Sequence, residues 1–174
     1  PEPACVDACP VAIDIPGFIE QIIEGEFHAA FETLSEANLL PAICGRVCPQ
    51  EDQCEMVCPV GDTLEPVAIG RIERWIGDMA IEHGWSAQPY LEPNGFKVGI
   101  VGSGPAGMAC AADLAKAGCD VMVYEALHKA GGVLRYGIPE FRLPNEVIDV
   151  EMGNITKLGV KIECNTLVGR LFTI

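Results

Sequence analysis

The sequence predicts an α-helical first half followed by an α/β second half. Three observations support this prediction. Apolar residues recur at helical spacing within residues 1–92, a short segment rich in Pro and Gly follows, and a strand–helix–strand pattern begins near residue 97. With 174 residues the chain is long enough for one or two domains, and its 49% of hydrophobic residues is sufficient for ordered cores.

Three helices are predicted in the first half. Gly17–Gly25 and Glu26–Asn38 each place apolar residues three or four positions apart, which is the spacing of one helix face. A third helix is predicted from about Pro66 to His83, because Gly84 is a typical stop signal. A cysteine-rich stretch, Cys44–Cys58, lies between the second and third helices without an assigned element.

The second half begins after a predicted linker, Ser86–Gly95, which contains Pro89. Strand and helix patterns then alternate, and a loop marked by Gly and Pro separates the second strand from the second helix. The predicted elements are, in order, a buried strand at Lys97–Val101, a helix at Pro105–Ala117, a strand at Asp120–Tyr124, a helix near Asn145–Leu158 and a strand at Val160–Cys164.

The net charge of −14 comes from the first half of the chain. Residues 1–92 carry 17 acidic and 3 basic side chains, whereas residues 93–174 carry 8 of each. We therefore expect no nucleic-acid partner, because phosphate binding requires clustered Lys and Arg. We also expect no membrane span, because the sequence has no apolar run of about 18 residues.

A glycine-rich sequence, Gly102–Gly107 (GSGPAG), joins the first predicted strand to the following helix. This context makes it a fingerprint of a Rossmann-like dinucleotide site. Gly102 permits a tight turn, Gly104 lets the backbone approach a pyrophosphate, and Gly107 allows close packing of the helix on the strand. The helix N-terminus offers free N–H groups to the anion, and Glu125 at the end of the second strand can accept hydrogen bonds from a ribose. The loop itself is compatible with both NAD(P) and FAD.

Six of the nine cysteines lie in the first 58 residues, with the spacings Cys5-x3-Cys9 and Cys44-x3-Cys48-x5-Cys54-x3-Cys58. Zinc favours a tetrahedral site of four thiolates, and disulfide frameworks suit small secreted chains. Iron–sulfur clusters need soft thiolate ligands and often have Pro directly after a ligand, as three of these cysteines do. The pattern favours iron–sulfur clusters over zinc, and zinc over structural thiols. Cys110 and Cys119, in and just after a predicted helix, are expected to be small core residues.

Several motifs resemble the small subunit of NADPH-dependent glutamate synthase: Ala8–Pro16 (ACPVAIDIP), Leu40–Pro49 (LPAICGRVCP), Gly102–Gly107 and Gly131–Pro144 (GGVLRYGIPEFRLP). The chain also resembles the large subunit of electron-bifurcating NADH-dependent ferredoxin:NADP oxidoreductase. The N-terminal domains of dihydropyrimidine dehydrogenase are similar too. The resemblance covers the whole chain. It implies an α-helical iron–sulfur domain over residues 1–92, followed by an α/β Rossmann-like FAD-binding domain over residues 93–174 that is incomplete in this chain.

The resemblance implies two [4Fe–4S] clusters and their ligands. One cluster is expected to be held by Cys9, Cys48, Cys54 and a residue that is glutamine in dihydropyrimidine dehydrogenase and matches Glu73 here. The alternative for Glu73 is a surface carboxylate. The other cluster is expected to use Cys5 and Cys58, with two further cysteines that the family has upstream of Pro1. Cys44 is not expected to be a ligand. The implied FAD-binding residues are Gly102, Ser103, Gly104, Pro105, Ala106, Gly107, Glu125, Gly131, Gly132, Val133, Arg142 and Val168.

The resemblance also implies the activity. We expect an iron–sulfur flavoprotein oxidoreductase that passes electrons between NAD(P)H, FAD and [4Fe–4S] clusters to a partner subunit, with NAD(P)H bound in a further domain of a longer polypeptide. No side chain in the sequence stands out as a catalytic acid, base or nucleophile. A cytoplasmic location is expected, because a dinucleotide fold is typical of a reducing interior. The alternatives are a non-catalytic electron-wire or scaffold subunit and a zinc-stabilised flavin module.

Overall fold

The computed structural model describes residues 3–87 and 91–170, and the predicted linker residue Pro89 lies outside them. The chain divides into two compact units, Pro1–Trp85 and Ser86–Ile174. Each unit has its own core, so each is described separately. Within the described residues, no helix is both long and apolar enough to cross a membrane.

The first unit consists of helices joined by short connections. Its helices are α1 (Ala4–Asp7), α2 (Ile15–Glu24), α3 (Phe27–Ala37), α4 (Pro41–Val47) and α5 (Ile69–His83), with 3₁₀ turns at Gln50–Asp52 and Pro59–Asp62. The three predicted helices correspond to α2, α3 and α5. The short helices α1 and α4 were not predicted. Gly84 ends α5 in the left-handed conformation, as its stop signal predicts.

The core of the first unit forms where α2, α3 and α5 bury their apolar faces. Phe18, Leu34 and Ile76 are among its fully buried side chains, and the thiol of Cys54 belongs to the same cluster of apolar residues. The side chain of Asp14 accepts a hydrogen bond from the backbone N–H of Gly17 and caps the start of α2. These contacts hold the three long helices together, with Cys54 of the cysteine-rich stretch in their shared core.

The helices α4 and α5 cross at unusually close range. A Cβ atom added at Gly45 would lie 2.4 Å from the backbone nitrogen of Arg74, and one added at Gly77 would lie 2.6 Å from the backbone nitrogen of Ala42. Two glycines therefore let the helix backbones touch. The crossing matters for the site, because α4 carries Cys44 and ends beside Cys48, whereas α5 carries Glu73.

The second unit is built on a three-stranded parallel sheet. Its elements are β1 (Lys97–Val101), α6 (Pro105–Lys116), β2 (Asp120–Tyr124), α7 (Val133–Tyr136), α8 (Asn145–Lys157) and β3 (Lys161–Glu163). The strand order is β1-β2-β3, with Lys97 opposite Asp120 and Met122 opposite Lys161. Strand–helix–strand connections of this kind produce parallel pairing. The predicted strands and helices are confirmed within one or two residues, whereas α7 was not predicted.

Two predictions for the second unit are wrong. The strand β1 is not buried: its alternate residues Lys97, Gly99 and Val101, which share one face, are exposed, and Val101 is 67% exposed. Cys110 is exposed rather than part of the core, and Cys119 is only partly buried. The helix α6 packs through Met108, Ala111 and Ala115, so Cys110 lies on its other side.

Candidate cofactor sites

A cavity of about 180 Å³ in the first unit gathers most of the predicted cluster ligands. Its wall includes five side chains with metal-binding atoms: Cys9, Cys44, Cys48, Cys54 and Glu73. The rest of the wall is mainly apolar, with Ile13, Phe18 and Ile69 among its residues. The four residues expected to hold one cluster therefore face the same space, and Cys44 faces it with them.

Glu73 is buried, so the alternative that it is a surface carboxylate is wrong. It is only 6% exposed, and its Oε1 accepts a 2.7 Å hydrogen bond from the Nδ2 of Asn38. Burial raises the pKa of Glu73 to about 7, while hydrogen bonds from Asn38 and Gln50 oppose that rise. A carboxylate binds a metal in its ionised form, so these two amides favour the form that a metal requires.

Burial also raises the pKa of two thiols in the cavity, and a neighbouring amide accepts a hydrogen bond from one of them. Burial raises the pKa of Cys54 to about 11, and the nearby thiol of Cys9 adds to the shift. Burial also raises the pKa of Cys48, whose Sγ donates to the Oε1 of Gln53 at 3.1 Å. In this environment a thiolate is costly unless a cation compensates its charge. The cavity therefore suits a positively charged metal group.

Among residues 3–87 and 91–170, no three His, Cys, Asp or Glu side chains are placed so that they could hold a single metal ion. A zinc ion needs four donors, each about 2.0–2.3 Å from one centre. A cluster of several irons has a wider core, with each ligand bound to a different metal.

Cys5 and Cys58 lie near each other, outside that cavity. The pKa of Cys5 is raised, mainly by burial, and the neighbouring Cys58 contributes to the shift. Cys58 lines a separate cavity of about 240 Å³, together with three carboxylates, those of Glu51, Glu55 and Asp62. The two predicted ligands of the second cluster therefore influence each other electrostatically, and neither of them lines the first cavity.

In the second unit, the glycine-rich loop has the backbone geometry that its sequence predicts. Gly102 has a φ of 98°, which only glycine adopts without strain. A Cβ atom at Gly107 would lie 2.1 Å from the carbonyl oxygen of Gly102, so a side chain there would push α6 off the loop. At Gly104 a Cβ atom would meet nothing within 4 Å, which leaves its face open to a ligand. Pro105 and Ala106 form the first turn of α6.

Glu125 ties the end of β2 to this loop. Its Oε2 accepts hydrogen bonds from the backbone nitrogen and the hydroxyl of Ser103, and its Oε1 accepts one from the backbone nitrogen of Leu127 at 2.8 Å. Burial raises the pKa of Glu125, but the hydrogen bonds from Ser103 and from the backbone N–H groups outweigh it and lower the pKa overall. The carboxylate is thus a fixed negative charge beside the loop, which suits a ribose diol better than a phosphorylated ribose.

The second glycine pair packs directly on the first loop. The backbone nitrogen of Gly131 donates to the carbonyl oxygen of Ser103 at 3.1 Å. Gly132 has a φ of 52°, and a Cβ atom there would lie 2.7 Å from the Cα of Gly104. The two loops therefore form one surface, with Val133 exposed at the start of α7. Arg142 is exposed and Val168 is half-buried.

Three residues around the cluster cavity were not predicted from the sequence. They are side-chain amides. That of Asn38 contacts the carboxylate of Glu73, that of Gln50 contacts the carbonyl oxygen of Cys44, and that of Gln53 contacts the thiol of Cys48. Gly70 makes room for one of them, because a Cβ atom there would lie 2.3 Å from the side chain of Gln50. Gln50 and Gln53 lie close in sequence to the predicted ligands Cys48 and Cys54, whereas no sequence signal marks Asn38. Amides are common in helix caps and turns, so that signal is weak.

Comparison with known proteins finds a matching family model in each of the two units. Residues 1–85 match the family model described as dihydropyrimidine dehydrogenase domain II, 4Fe-4S cluster, and residues 100–166 match an NAD(P)-binding Rossmann-like domain. The chain is 42% identical to the NAD-dependent dihydropyrimidine dehydrogenase subunit PreT of Escherichia coli strain K12, over 98% of this chain and 41% of that protein. It is 41% identical to the glutamate synthase [NADPH] small chain of the same strain, over 97% of this chain and 36% of that protein.

A third relative gives the same result. The glutamate synthase [NADPH] small chain of Azospirillum brasilense is 37% identical over 97% of this chain and 35% of that protein. The chain thus spans about two fifths or less of the length of these relatives. The resemblance to the small subunit of glutamate synthase and to dihydropyrimidine dehydrogenase is confirmed.

Proposed function

Because this chain is a homologue of oxidoreductase subunits, with a 4Fe-4S domain followed by an NAD(P)-binding Rossmann-like domain, we propose that it is the electron-input part of a larger enzyme. In this proposal, FAD lies on the glycine-rich loops and exchanges a hydride with NAD(P)H held by a further domain. A [4Fe–4S] cluster in the cavity of the first unit passes electrons towards a catalytic or acceptor subunit, in a cytoplasmic complex.

The observation that carries the proposal is the shared cavity of Cys9, Cys48, Cys54 and Glu73. When bound there, a [4Fe–4S] cluster supplies one-electron transfer. The chain's own contribution is to provide three sulfur donors and one carboxylate oxygen. Apolar residues such as Phe18 exclude water from the space between them. Water exclusion and the ligand hydrogen bonds both set the reduction potential of such a group.

The loops of the second unit are proposed to hold the pyrophosphate and adenosine ribose of FAD. When bound, a flavin couples two-electron hydride transfer to one-electron chemistry. The N-terminus of α6 offers unpaired N–H groups to the pyrophosphate. Gly104 lets that group approach the backbone, and Glu125 accepts from the ribose hydroxyls. Arg142 and Val168 are proposed to contact other parts of FAD, on the strength of the resemblance.

A second reading of the same loop is supported by the family match. Residues 100–166 match a model for NAD(P)-binding domains, so the loop could bind the nicotinamide nucleotide itself. The cofactor released by denaturing the purified protein separates the two readings, because FAD stays bound through purification far more often than NAD(P) does. Recovery of about one FAD per chain supports the first reading. A protein without flavin that binds NADH or NADPH at this loop supports the second.

Cys5 and Cys58 are proposed to belong to a second [4Fe–4S] cluster whose remaining ligands come from outside residues 1–174. The two residues lie near each other and apart from the first cavity. In the family, two cysteines upstream of the position of Pro1 complete this site. If these are present in the protein, two clusters are expected per polypeptide.

Anaerobic titration of the full-length protein with NADH and NADPH tests the proposed function. One of the two is expected to bleach the flavin and then to produce the electron paramagnetic resonance (EPR) signal of a reduced cluster. In Cys48→Ser the flavin should still bleach, while the signal of the cavity cluster should be lost. Cys110→Ser, which changes an exposed thiol in the other unit, should match the unmodified protein. A protein whose flavin and clusters stay oxidised with both nucleotides would instead be an electron wire or scaffold.

A further inference from the structure

Asn38 joins three parts of the cluster cavity through one buried side chain. It follows the last residue of α3 and is 7% exposed. Its Nδ2 donates to the Oε1 of Glu73 at 2.7 Å, and its Oδ1 accepts from the backbone nitrogen of Leu40 at 3.0 Å. The same Oδ1 lies 3.5 Å from the Sγ of Cys44. The amide thus links the end of α3, the start of α4 and the second turn of α5.

The local backbone fixes which way this amide faces. A backbone N–H can only donate, so the side-chain oxygen of Asn38, Oδ1, must face the backbone nitrogen of Leu40. The NH₂ group then has to face Glu73, 35 residues away in sequence. A buried amide is costly unless its polar atoms have partners, so both bonds stabilise the same orientation. The hydrogen bond to Leu40 therefore orients the NH₂ group of Asn38 towards Glu73, and that bond does not involve Glu73.

We propose that Asn38 is a positioning residue that holds the carboxylate of Glu73 for iron ligation. The inference rests on the proposed function, because it requires a cluster in the cavity. A glutamate side chain has several rotatable bonds, and it loses that freedom when it binds a metal. The hydrogen bond from Asn38 restricts the carboxylate before any metal arrives. Hydrogen-bonding partners of metal ligands commonly have this orienting role.

A double-mutant cycle in the full-length protein, loaded with iron and sulfide under anaerobic conditions, tests the proposal. Asn38→Ala, Asn38→Asp and Glu73→Ala are made alone, and Asn38→Ala is also combined with Glu73→Ala. Asp keeps an oxygen for the backbone nitrogen of Leu40 but has no NH₂ donor. The readouts are the rate of iron loss to a chelator and the EPR spectrum of the reduced cluster. Asn94→Ala is the matched control, because Asn94 makes similar local bonds, to Phe96 and Ala117, in the other unit.

We expect both single Asn38 variants to lose iron at least about tenfold faster than the unmodified protein, with a changed EPR spectrum. In the Glu73→Ala background, Asn38→Ala should add no further acceleration, since the ligand it positions is absent. Asn94→Ala should not change the rate.

Three results would overturn the inference in distinguishable ways. Unmodified protein that binds no iron removes the proposed function and this inference together. Iron loss that accelerates in Glu73→Ala but not in Asn38→Ala removes only the role of Asn38. Equal acceleration by Asn38→Ala with and without Glu73 would show that Asn38 supports the helical unit and does not act through Glu73.

Discussion

Replacing Gly45 by alanine tests whether the close crossing of α4 and α5 sets the cluster cavity. The new Cβ atom would lie 2.4 Å from the nitrogen and 2.5 Å from the Cα of Arg74. Both are backbone atoms and cannot rotate away, so the helices must separate. Overpacking of this kind costs about 1–3 kcal/mol, while replacing a helical glycine by alanine returns up to about 1 kcal/mol. We expect a net loss of about 1–2 kcal/mol in the unfolding free energy.

Urea unfolding of the cluster-free protein, followed by tryptophan fluorescence, measures this loss. Both tryptophans, Trp75 and Trp85, lie in the first unit, so the signal reports that unit. With a urea slope of about 1 kcal/mol per M, the midpoint should fall by about 1–2 M. Gly153→Ala is the control, because its Cβ atom meets nothing within 4 Å and α8 belongs to the other unit. Its tryptophan-reported curve should not move.

The same variant should also lose iron, because separating α4 from α5 moves Cys44 and the adjoining Cys48 away from Glu73. A Gly45→Ala protein with an unchanged midpoint would refute the claim that this crossing is tightly packed. A lower midpoint with unchanged iron binding would show that the crossing stabilises the unit without setting the cavity.

Three further predictions address individual residues. Cys48→Ser should lower the iron content of the anaerobically purified protein, whereas Cys44→Ser should keep it, and loss of iron in both variants would make Cys44 a ligand. Gly104→Ala should weaken cofactor binding without changing thermal stability, because its Cβ atom enters open space, whereas Gly107→Ala should lower both cofactor affinity and thermal stability. Calorimetry with and without added cofactor separates the two effects. An equal loss of thermal stability in both variants would be evidence against the loop geometry. The lowered pKa of Glu125 means that its ionised form stabilises the second unit above the unfolded-state pKa of about 4.3, and this stabilisation is lost as the pH falls through the lower folded-state value. This acid-dependent loss of stability should be smaller in Ser103→Ala. Circular dichroism between pH 5 and pH 2 (about one unit above and two below that pKa) measures it. A pH profile that is the same in both proteins would contradict the role of Ser103.

The elements with strong periodicity could be predicted from the sequence. The helix α8 buries Ile148, Met152 and Ile155 on one face, and that spacing was visible in the sequence. The short helices α4 and α7 were missed because Pro41, Gly45, Gly132 and Gly137 read as turn signals, whereas tertiary contacts hold these turns in helical form. The strand β1 reads as buried because its pattern is apolar. Whether both faces of a strand are covered cannot be read from the residues of the strand alone.

The cluster site was predictable only in part. The cysteine spacings indicated a metal site, but which cysteines share a cavity depends on how α4, α5 and the intervening loop fold together. Sequence spacing alone could not distinguish a buried Glu73 from an exposed one. Asn38 lies 35 residues from the carboxylate it contacts, and no local pattern marks such a pair.

The most direct test of the account is the metal and sulfide content of the full-length protein, purified without oxygen, measured together with its Mössbauer spectrum. The account predicts inorganic sulfide in equal amount to iron, and spectra in which one iron of the cavity cluster differs from the three bound by thiolates, because Glu73 supplies an oxygen. Substitution of Glu73 by cysteine should remove that difference. A colourless protein, or one with zinc and no sulfide, would contradict the central claim.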